Sequence, residues 1–325
     1  MSTGTVLLAD SDFPDTDLER ALIEAGGLRL VEPAQGGSGS LPGVGGDAVG
    51  LLVQWTRVGS DLLAGLPNLR AVGRFGVGVD TIDVEAATRR EIAVVHSGDY
   101  ATEEVALHAV ALALTLLRRV TLGDAAVRSG QWTGSGYHRG IRRASGLRAG
   151  VVGLGRIGCR VGQHLSALGL PVAGYDPVPG ECPVARTSSL DELLATSDLI
   201  SLHLPLTAES RGLIDARRLS LLPPGALLVN TARGGLVDEV ALAGRLASGQ
   251  LGGAALDVFE DEPVAPGHPL TGLANVVLSP HVGYFSEQAM VEARTRTVTN
   301  LLAAIRGEQP RDIANPQWRR ADHED

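Results

Sequence analysis

The sequence predicts an α/β protein built from two parallel-sheet domains. About ten short apolar runs rich in Val, Ile and Leu alternate with helical patterns along the chain, which is typical of parallel strands joined by crossover helices. About ten strands are more than one sheet comfortably holds. A glycine-rich nucleotide motif begins only at Gly153, after enough chain for another α/β unit.

The apolar runs give the expected strands in order. These are residues 5–9, 49–53, 69–73, 92–95, 149–153, 171–175, 198–203, 225–230, 252–256 and 275–279. A helix over residues 103–120 is expected to enter the second domain, and the Gly- and Arg-rich residues 123–146 are expected to form a loop.

A last helical segment, residues 286–306, follows the final strand and is expected to return to the first domain. The polar tail from residue 315 onward is expected to be frayed. We therefore predict two Rossmann-like or flavodoxin-like domains with a cleft between them. The first is discontinuous, with residues 1–98 plus 287–325, and the second contains residues 99–286.

Composition excludes several classes of protein. The net charge of -9 disfavours nucleic-acid binding, because such proteins neutralise phosphates with clustered Lys and Arg. All 28 basic residues are arginine, so a lysine Schiff base and a P-loop lysine are impossible. The longest apolar run, residues 105–117, is shorter than the roughly 18 residues that a membrane span needs. The first basic residue, Arg20, follows four aspartates, unlike a secretory signal, so we expect a cytoplasmic protein without a membrane partner.

Two cysteines, Cys159 and Cys182, are too few for a disulfide framework or a four-thiolate metal site. We interpret Cys159 as a small packed thiol. No metal site is predicted.

Three glycines, Gly153, Gly155 and Gly158, stand in G-x-G-x-x-G spacing between a predicted strand and a predicted helix. They permit a tight turn, approach of a pyrophosphate and close helix–strand packing. The next strand ends in Asp176, where an acid binds ribose hydroxyls and repels a 2'-phosphate. This pattern favours NAD over NADP; the alternative is a glycine-rich turn with a surface aspartate.

A second glycine cluster, "GRFGVGVD", occupies residues 73–80. Consecutive amides around Gly76, Val77 and Gly78 are suited to a nest for a small anion such as a carboxylate. A tight turn explains the same residues equally well.

Three polar residues follow strands of the nucleotide-binding half: Arg233, Glu262 and His281. Ligands of parallel sheets bind at the carboxyl ends of the strands, so we expect the three to converge. An arginine can grip the carboxylate of a 2-oxo acid, a histidine can deliver a proton, and a glutamate can hold its tautomer. Singly, each has another interpretation: a helix cap or phosphate contact, a surface acid, and a loop histidine.

The motifs "RFGVGVDTIDVEAATRR", "GLGRIG", "YDP", "NTARGGLVDE", "AALDVFEDEP" and "PHVGYFSEQA" together resemble the D-isomer-specific 2-hydroxyacid dehydrogenases. The resemblance implies that both chain ends form the substrate domain, that the central part binds NAD, and that homodimers form through the NAD domains. It implies catalytic roles for Arg233, Glu262 and His281, and carboxylate binding by Val77 and Gly78. It also implies cofactor contacts at Thr102, Gly153, Gly155, Arg156, Ile157, Gly158, Asp176, His203, Pro205, Thr231, Asp257 and Gly283.

Departures from the family pattern bear on the substrate. Many phosphoglycerate-type members have an arginine where this chain has Gln54 and an asparagine where it has Ala101. The missing arginine argues against a phosphorylated substrate. The segment "GYFSEQA" is similar to the branch of the C-terminal-binding proteins, in which a tryptophan stands in place of Tyr284. Aromatic walls at Tyr284 and Trp55 would suit an apolar or aromatic side chain.

The leading hypothesis is therefore an NAD-dependent oxidoreductase that interconverts a 2-oxo acid and a D-2-hydroxy acid. Two alternatives stay open. One is an NAD-responsive regulatory protein of the C-terminal-binding type, and the other is a dehydrogenase of a small anion such as phosphite.

Overall fold

The computed structural model describes residues 4–32, 45–132, 136–178 and 180–319. It divides the chain into two units: one of residues 1–100 together with 286–325, and one of residues 101–285. Each unit has its own parallel sheet, as the alternation of apolar runs and helical patterns predicts.

The discontinuous unit has a five-stranded parallel sheet in the order β2-β1-β3-β4-β5. Its two apolar clusters cover the two faces of this sheet, and one of them receives the last helix. The elements of this unit are β1 (Thr5–Leu8), α1 (Asp17–Ala25), β2 (Arg29–Val31), β3 (Ala48–Val53), α2 (Ser60–Ala64), β4 (Ala71–Arg74), α3 (Val84–Arg89), β5 (Ala93–His96) and, at the other end of the chain, α10 (Glu287–Arg306).

The continuous unit has a seven-stranded parallel sheet in the order β12-β11-β10-β9-β6-β7-β8. The chain reverses direction across this sheet between β6 and β9, and ligands of such sheets bind at that point. Its elements are α4 (Thr102–Arg118), α5 (Val120–Arg128), β6 (Ala149–Val152), α6 (Arg156–Ala167), β7 (Val172–Tyr175), β8 (Ala185–Arg186), α7 (Leu190–Thr196), β9 (Leu199–Leu202), α8 (Ala216–Leu219), β10 (Leu227–Asn230), α9 (Glu239–Ala247), β11 (Gly253–Leu256) and β12 (Val276–Leu278).

The helix expected from about residue 103 to about residue 120 is present as α4, whereas the loop expected over residues 123–146 is helical in its first part. The helix expected over residues 103–120 ends at Arg118, because Arg119 adopts a left-handed conformation with φ 50°. A second helix, α5, then runs to Arg128 through residues expected to form a loop, and it buries Ala126. In the described parts of the chain, no single helix is long and apolar enough to span a membrane; α4 and α5 pass that test only as a pair, and they are bent by 60°.

The tail was also expected to be frayed from residue 315, and its first part is instead packed. Asn315 is fully buried and Trp318 is 6% exposed. The Asn315 side chain accepts a hydrogen bond from Val94 N at 2.7 Å and donates to Ile92 O at 2.9 Å. These bonds fasten the tail to the edge strand β5; residues 320–325 lie outside the described chain.

Candidate active site

The glycine motif forms the turn between β6 and α6. Gly153 has φ 93°, a left-handed conformation that favours glycine. A Cβ on Gly158 would lie 1.9 Å from the Gly153 carbonyl oxygen, so the close approach of helix and strand requires glycine there. A Cβ on Gly155 would meet no described atom within 4 Å, which keeps space beside Arg156 and Ile157 in the first turn of α6. A clear helix N-terminus of this kind fits a pyrophosphate.

Asp176 follows β7 and lies against the glycine turn. Its Oδ2 accepts a hydrogen bond from Leu154 N at 2.6 Å, and its Oδ1 accepts one from Val178 N at 2.8 Å. Both bonds orient the carboxylate beside the motif. Each carboxylate oxygen has a second lone pair, which suits the ribose hydroxyls expected at this position.

The cysteine interpretation was wrong. Cys159, in the first turn of α6, forms a disulfide with Cys182, and their Cα atoms are 5.7 Å apart. Both residues pack beside a small apolar cluster of Val151, Leu154 and Val184. The disulfide therefore joins α6 to the segment that follows Asp176.

Three predicted cofactor contacts follow β9 and β10. A Cβ on Gly153 would lie 2.7 Å from the carbonyl carbon of His203, which places His203 beside the glycine turn. Removal of its ring from solvent lowers the pKa of His203 to about 3, so the ring is neutral at physiological pH. Pro205 O accepts a hydrogen bond in the same loop. The buried Oγ1 of Thr231 has no hydrogen-bond partner among the described residues, which fits a group supplied by a ligand.

Arg233 lies in the loop after β10. Asn230 shapes this loop, since its side chain accepts from Ala232 N at 3.0 Å and donates to Arg233 O at 2.8 Å. Arg233 Nη1 donates to Ala232 O at 2.7 Å. A Cβ on Gly234 would lie 1.8 Å from the carbonyl carbon of Phe259. Glycine therefore lets the loops after β10 and β11 touch.

Glu262 and His281 form a hydrogen-bonded pair. Nδ1 of His281 lies 2.6 Å from Oε2 of Glu262, and Oε1 accepts from Phe259 N at 2.9 Å. The second bond fixes the orientation of the carboxylate. Because a carboxylate only accepts, Nδ1 carries the proton of this bond, and Nε2 is the ring atom that can exchange a proton with a ligand.

The backbone of His281 is left-handed, with φ 53°. A non-glycine residue in this region costs of the order of 1–3 kcal/mol and is held by its surroundings. Here Asp257 holds it: its carbonyl oxygen accepts from His281 N at 2.7 Å, and its carboxylate accepts from Val282 N at 3.0 Å and Gly283 N at 2.8 Å. Strained backbone of this kind is frequent at active sites.

Asp257 is buried and ionised. Burial alone would raise its pKa, but hydrogen bonds from His108, from Ser279 and from the amides of Val282 and Gly283 outweigh it and lower the pKa to about 2. Sequence reasoning identified Asp257 and missed both of these side chains. Ser279 stands two residues before His281 and was within reach of the motif, whereas His108 lies on α4 with no sequence signal.

Tyr284 lies beside His281. Thr102, a predicted cofactor contact, is the first residue of α4. The ring centroids of Tyr284 and His281 are 6.1 Å apart in an edge-to-face arrangement. An aromatic side chain therefore flanks the histidine, and its neighbour Phe285 is 60% exposed.

The remaining predicted site residues belong to the discontinuous unit. Val77 and Gly78 follow β4, and Val77 is 41% exposed. The Gly76 amide donates to Ser97 Oγ at 2.8 Å, so the candidate anion nest narrows to the amides of Val77 and Gly78. A Cβ on Gly76 would lie 1.5 Å from Arg74 Nη1, so a buried guanidinium supports the turn from below.

Trp55 and Gln54 follow β3, beside two carboxylates that sequence reasoning missed. Trp55 Nε1 donates to Asp12 Oδ2 at 2.6 Å. The amides of Gln54 and Trp55 donate to Asp10 at 3.0 and 2.6 Å. Gln54 is only 3% exposed, so its side chain is packed inside the protein at the end of β3. In the described chain, no group of three His, Cys, Asp or Glu residues is arranged to hold a metal ion.

Comparison with known proteins identifies the family of this chain. Residues 110–283, just over half of the chain, match the model of the D-isomer specific 2-hydroxyacid dehydrogenase NAD binding domain. The chain is 40% identical over 320 residues to the D-3-phosphoglycerate dehydrogenase of Mycobacterium tuberculosis, covering 97% of this chain but 59% of that protein. It is 39% identical over 272 residues to the glyoxylate reductase of Thermofilum pendens, covering 80% of this chain and 79% of that one.

A solved structure has the same fold. The chain is 30% identical to a D-lactate dehydrogenase from Aquifex aeolicus in complex with NAD and lactic acid, with a TM-score of 0.84 and coverage of 94% of this chain and 96% of that one. The family model, the relatives and the shared fold lead to one conclusion: this chain belongs to the D-isomer specific 2-hydroxyacid dehydrogenase family.

Proposed function

We propose that this protein is an NAD-dependent oxidoreductase that interconverts a 2-oxo acid and a D-2-hydroxy acid. The observation that carries the proposal is the 2.6 Å pair of His281 and Glu262, set on strained backbone beside the loop of Arg233. A site that only bound the cofactor and transferred no proton would not need a histidine–carboxylate pair. The chain spans only 59% of the D-3-phosphoglycerate dehydrogenase it matches, so its activity is argued from its own site.

The three side chains divide the chemistry of carbonyl reduction. When bound, the reduced cofactor would supply the hydride for the carbonyl carbon. Arg233 binds the substrate carboxylate and polarises the carbonyl oxygen through its N–H groups. His281 gives the proton on Nε2 to that oxygen, and Glu262 holds the ring and stabilises its cationic form. In the reverse direction His281 accepts the hydroxyl proton.

The cofactor proposal rests on three features of the continuous unit. The space beside Gly155 fits a pyrophosphate, the Asp176 carboxylate fits ribose hydroxyls, and the orphaned Thr231 Oγ1 fits a polar ligand group. Because Asp176 is an anion, it repels the 2'-phosphate of NADPH. Titration with NADH and NADPH tests this preference, and tighter binding of NADPH than of NADH would contradict it.

The substrate proposed is a non-phosphorylated 2-oxo acid with an apolar or aromatic side chain. Gln54 is buried where phosphoglycerate-type members have an arginine, and Asp10 and Asp12 bring two carboxylates to the same strand end. Two carboxylates disfavour a phosphate by like-charge repulsion. Trp55 and Tyr284 are the proposed aromatic contacts, and the amides of Val77 and Gly78 are the proposed carboxylate donors.

The test is the loss of nicotinamide absorbance when the protein and NADH meet glyoxylate, pyruvate, hydroxypyruvate, and branched, aromatic and methylthio 2-oxo acids. Rapid turnover of the apolar or aromatic class is the expected result. Turnover of glyoxylate or hydroxypyruvate alone would contradict the side-chain proposal. Unchanged selectivity after Tyr284→Ala would remove the aromatic wall from it.

Two other outcomes would favour a different function. Tight NADH binding without turnover would favour a regulatory role of the C-terminal-binding type, and NAD reduction with phosphite would favour a small-anion dehydrogenase. A homodimer formed through the NAD domains and a cytoplasmic location stay predictions. Light scattering tests the first, and cell fractionation tests the second.

A further inference from the structure

We infer that His108 is a positioning residue for the proposed reaction, acting on His281 through Ser279 and Asp257. His108 lies on α4, 171 residues before Ser279 in the chain. Its described contacts include neither the proposed acid nor the glycine turn, although two of them, Asp257 and Gly283, are themselves predicted cofactor contacts. The inference rests on the proposed function, because the positioned group is the proposed proton donor.

The directions of the hydrogen bonds follow from the charge of Asp257. Asp257 is ionised, so it only accepts. Ser279 Oγ lies 2.6 Å from Asp257 Oδ1 and therefore donates its single proton to it. The same Oγ lies 2.9 Å from His108 Nε2 and has no proton left for that bond. His108 Nε2 must therefore carry a proton and donate to Ser279.

His108 also reaches the carboxylate and the turn directly. Its Nε2 lies 3.3 Å from Asp257 Oδ1, within ion-pair distance. A Cβ on Gly283 would lie 3.2 Å from His108 Cδ2, which shows that the imidazole packs against the turn itself. The histidine side chain is 26% exposed, whereas that of Asp257 is 2% exposed.

The network matters because Asp257 sets the backbone around the proposed acid. Its carbonyl oxygen binds the amide of His281, and its carboxylate binds the amides of Val282 and Gly283. These bonds hold His281 at φ 53°. Without the His108 donor, the carboxylate loses one of the groups that orient it, and the turn relaxes toward more common backbone conformations. Misplacement of a catalytic group by about 1 Å can reduce the rate by about 100-fold.

A matched pair of variants separates this donor from simple packing. His108→Gln places an amide N–H near the position of Nε2, whereas His108→Asn carries the same amide one methylene shorter. We expect His108→Asn and His108→Leu to lower kcat by about tenfold, with little change in KM for the 2-oxo acid, since loss of a hydrogen bond to a charged network has about this effect. We expect His108→Gln to retain kcat within about threefold.

Two controls accompany the series. Substitution of His164, on α6, by Leu removes a histidine of the same unit that lies outside this network, and it is expected to leave kcat unchanged. Combination of Ser279→Ala with His108→Leu is expected to cost no more than the larger single effect, because both changes break one chain of bonds. Equal kcat in the Gln, Asn and Leu variants, or additive losses in the double variant, would overturn the inference.

A measurement without turnover separates this inference from the proposed function. In protein with ¹⁵N-labelled histidine, the His108 signals are assigned by their absence from His108→Gln. We expect Nε2 of wild-type His108 to be protonated at neutral pH. A neutral ring with its proton on Nδ1 alone would overturn the inference, even if the protein reduces 2-oxo acids. A protonated Nε2 in a protein that turns over no 2-oxo acid would uphold the network and reject the proposed function.

Discussion

Replacement of Glu262 by Gln is the substitution that most directly tests the proposal that Glu262 supports His281 as an acid. The carboxylate accepts from both His281 Nδ1 and Phe259 N. A Gln side chain has one acceptor oxygen and one NH₂ group, so it cannot accept both bonds. If its NH₂ group faces Phe259 N–H, two hydrogen-bond donors repel each other. If it faces His281 Nδ1 instead, it repels the protonated, cationic ring.

The magnitude follows from the geometry of the pair. Two unit charges about 4 Å apart attract by about 4 kcal/mol at an effective dielectric constant of about 20. The side chains of His281 and Glu262 are 22% and 30% exposed, so solvent reduces this value. A loss of about 2 kcal/mol remains, in the range for hydrogen bonds to charged groups, and it corresponds to about a 30-fold decrease in kcat.

The assay is steady-state reduction of the best 2-oxo acid under saturating NADH. The matched control is Glu260→Gln in the same loop, because Glu260 pairs with Arg211 on the surface, 3.2 Å away, and its loss is expected to leave kcat within twofold. We expect unchanged NADH affinity in both variants. A kcat for Glu262→Gln within twofold of the wild-type value would refute the reasoning.

Three further predictions concern the continuous unit. Gly158→Ala and Gly155→Ala should both weaken NADH binding. Only Gly158→Ala should lower the unfolding temperature, because only a Cβ at residue 158 would meet a carbonyl oxygen, at 1.9 Å. Equal destabilisation by the two variants would contradict this prediction. The pKa of Asp257 is lowered from 3.8 to about 2, so ionisation of this carboxyl stabilises the fold by about 2 kcal/mol above pH of about 4. That stabilisation is lost as the pH falls toward 2. In urea unfolding, Asp257→Asn should lack this dependence of stability on acid pH. Cys182→Ser should lower the free energy of unfolding by about 3 kcal/mol relative to oxidised wild type, because the disulfide closes a loop between residues 23 positions apart. Equal stability of the wild type with and without reductant would count against the disulfide.

Much of the fold is local information and was predictable. The apolar runs gave both parallel sheets, because strands buried on both faces are continuous in Val, Ile and Leu. Two short strands escaped detection: β2 has three residues, and β8 has two. Neither is an apolar run, because β2 begins with Arg29 and β8 ends with Arg186. Each pairs with the strand beside it. The break at Arg119 was missed because its left-handed backbone carries no glycine signal.

The site divides along the same line. Arg233, Glu262 and His281 could be proposed from the sequence because each follows a strand within a short motif. Asp10, Asp12 and Arg74 were missed, since their place beside Trp55 depends on how β1, β3 and β4 pair. The same holds for His108, which reaches Ser279 across 171 residues of chain. Contacts of this kind arise from tertiary packing and leave no spacing to find.

The central claim is that His281 delivers the proton in the reduction of a 2-oxo acid. The most direct measurement is single-turnover oxidation of bound NADH by the best 2-oxo acid in wild type, in His281→Gln and in the surface control His138→Gln, after NADH affinity has been confirmed in each. The account predicts a rate reduced by about 100-fold or more in His281→Gln alone. Equal rates in all three proteins would show that the proton comes from elsewhere and would contradict the account.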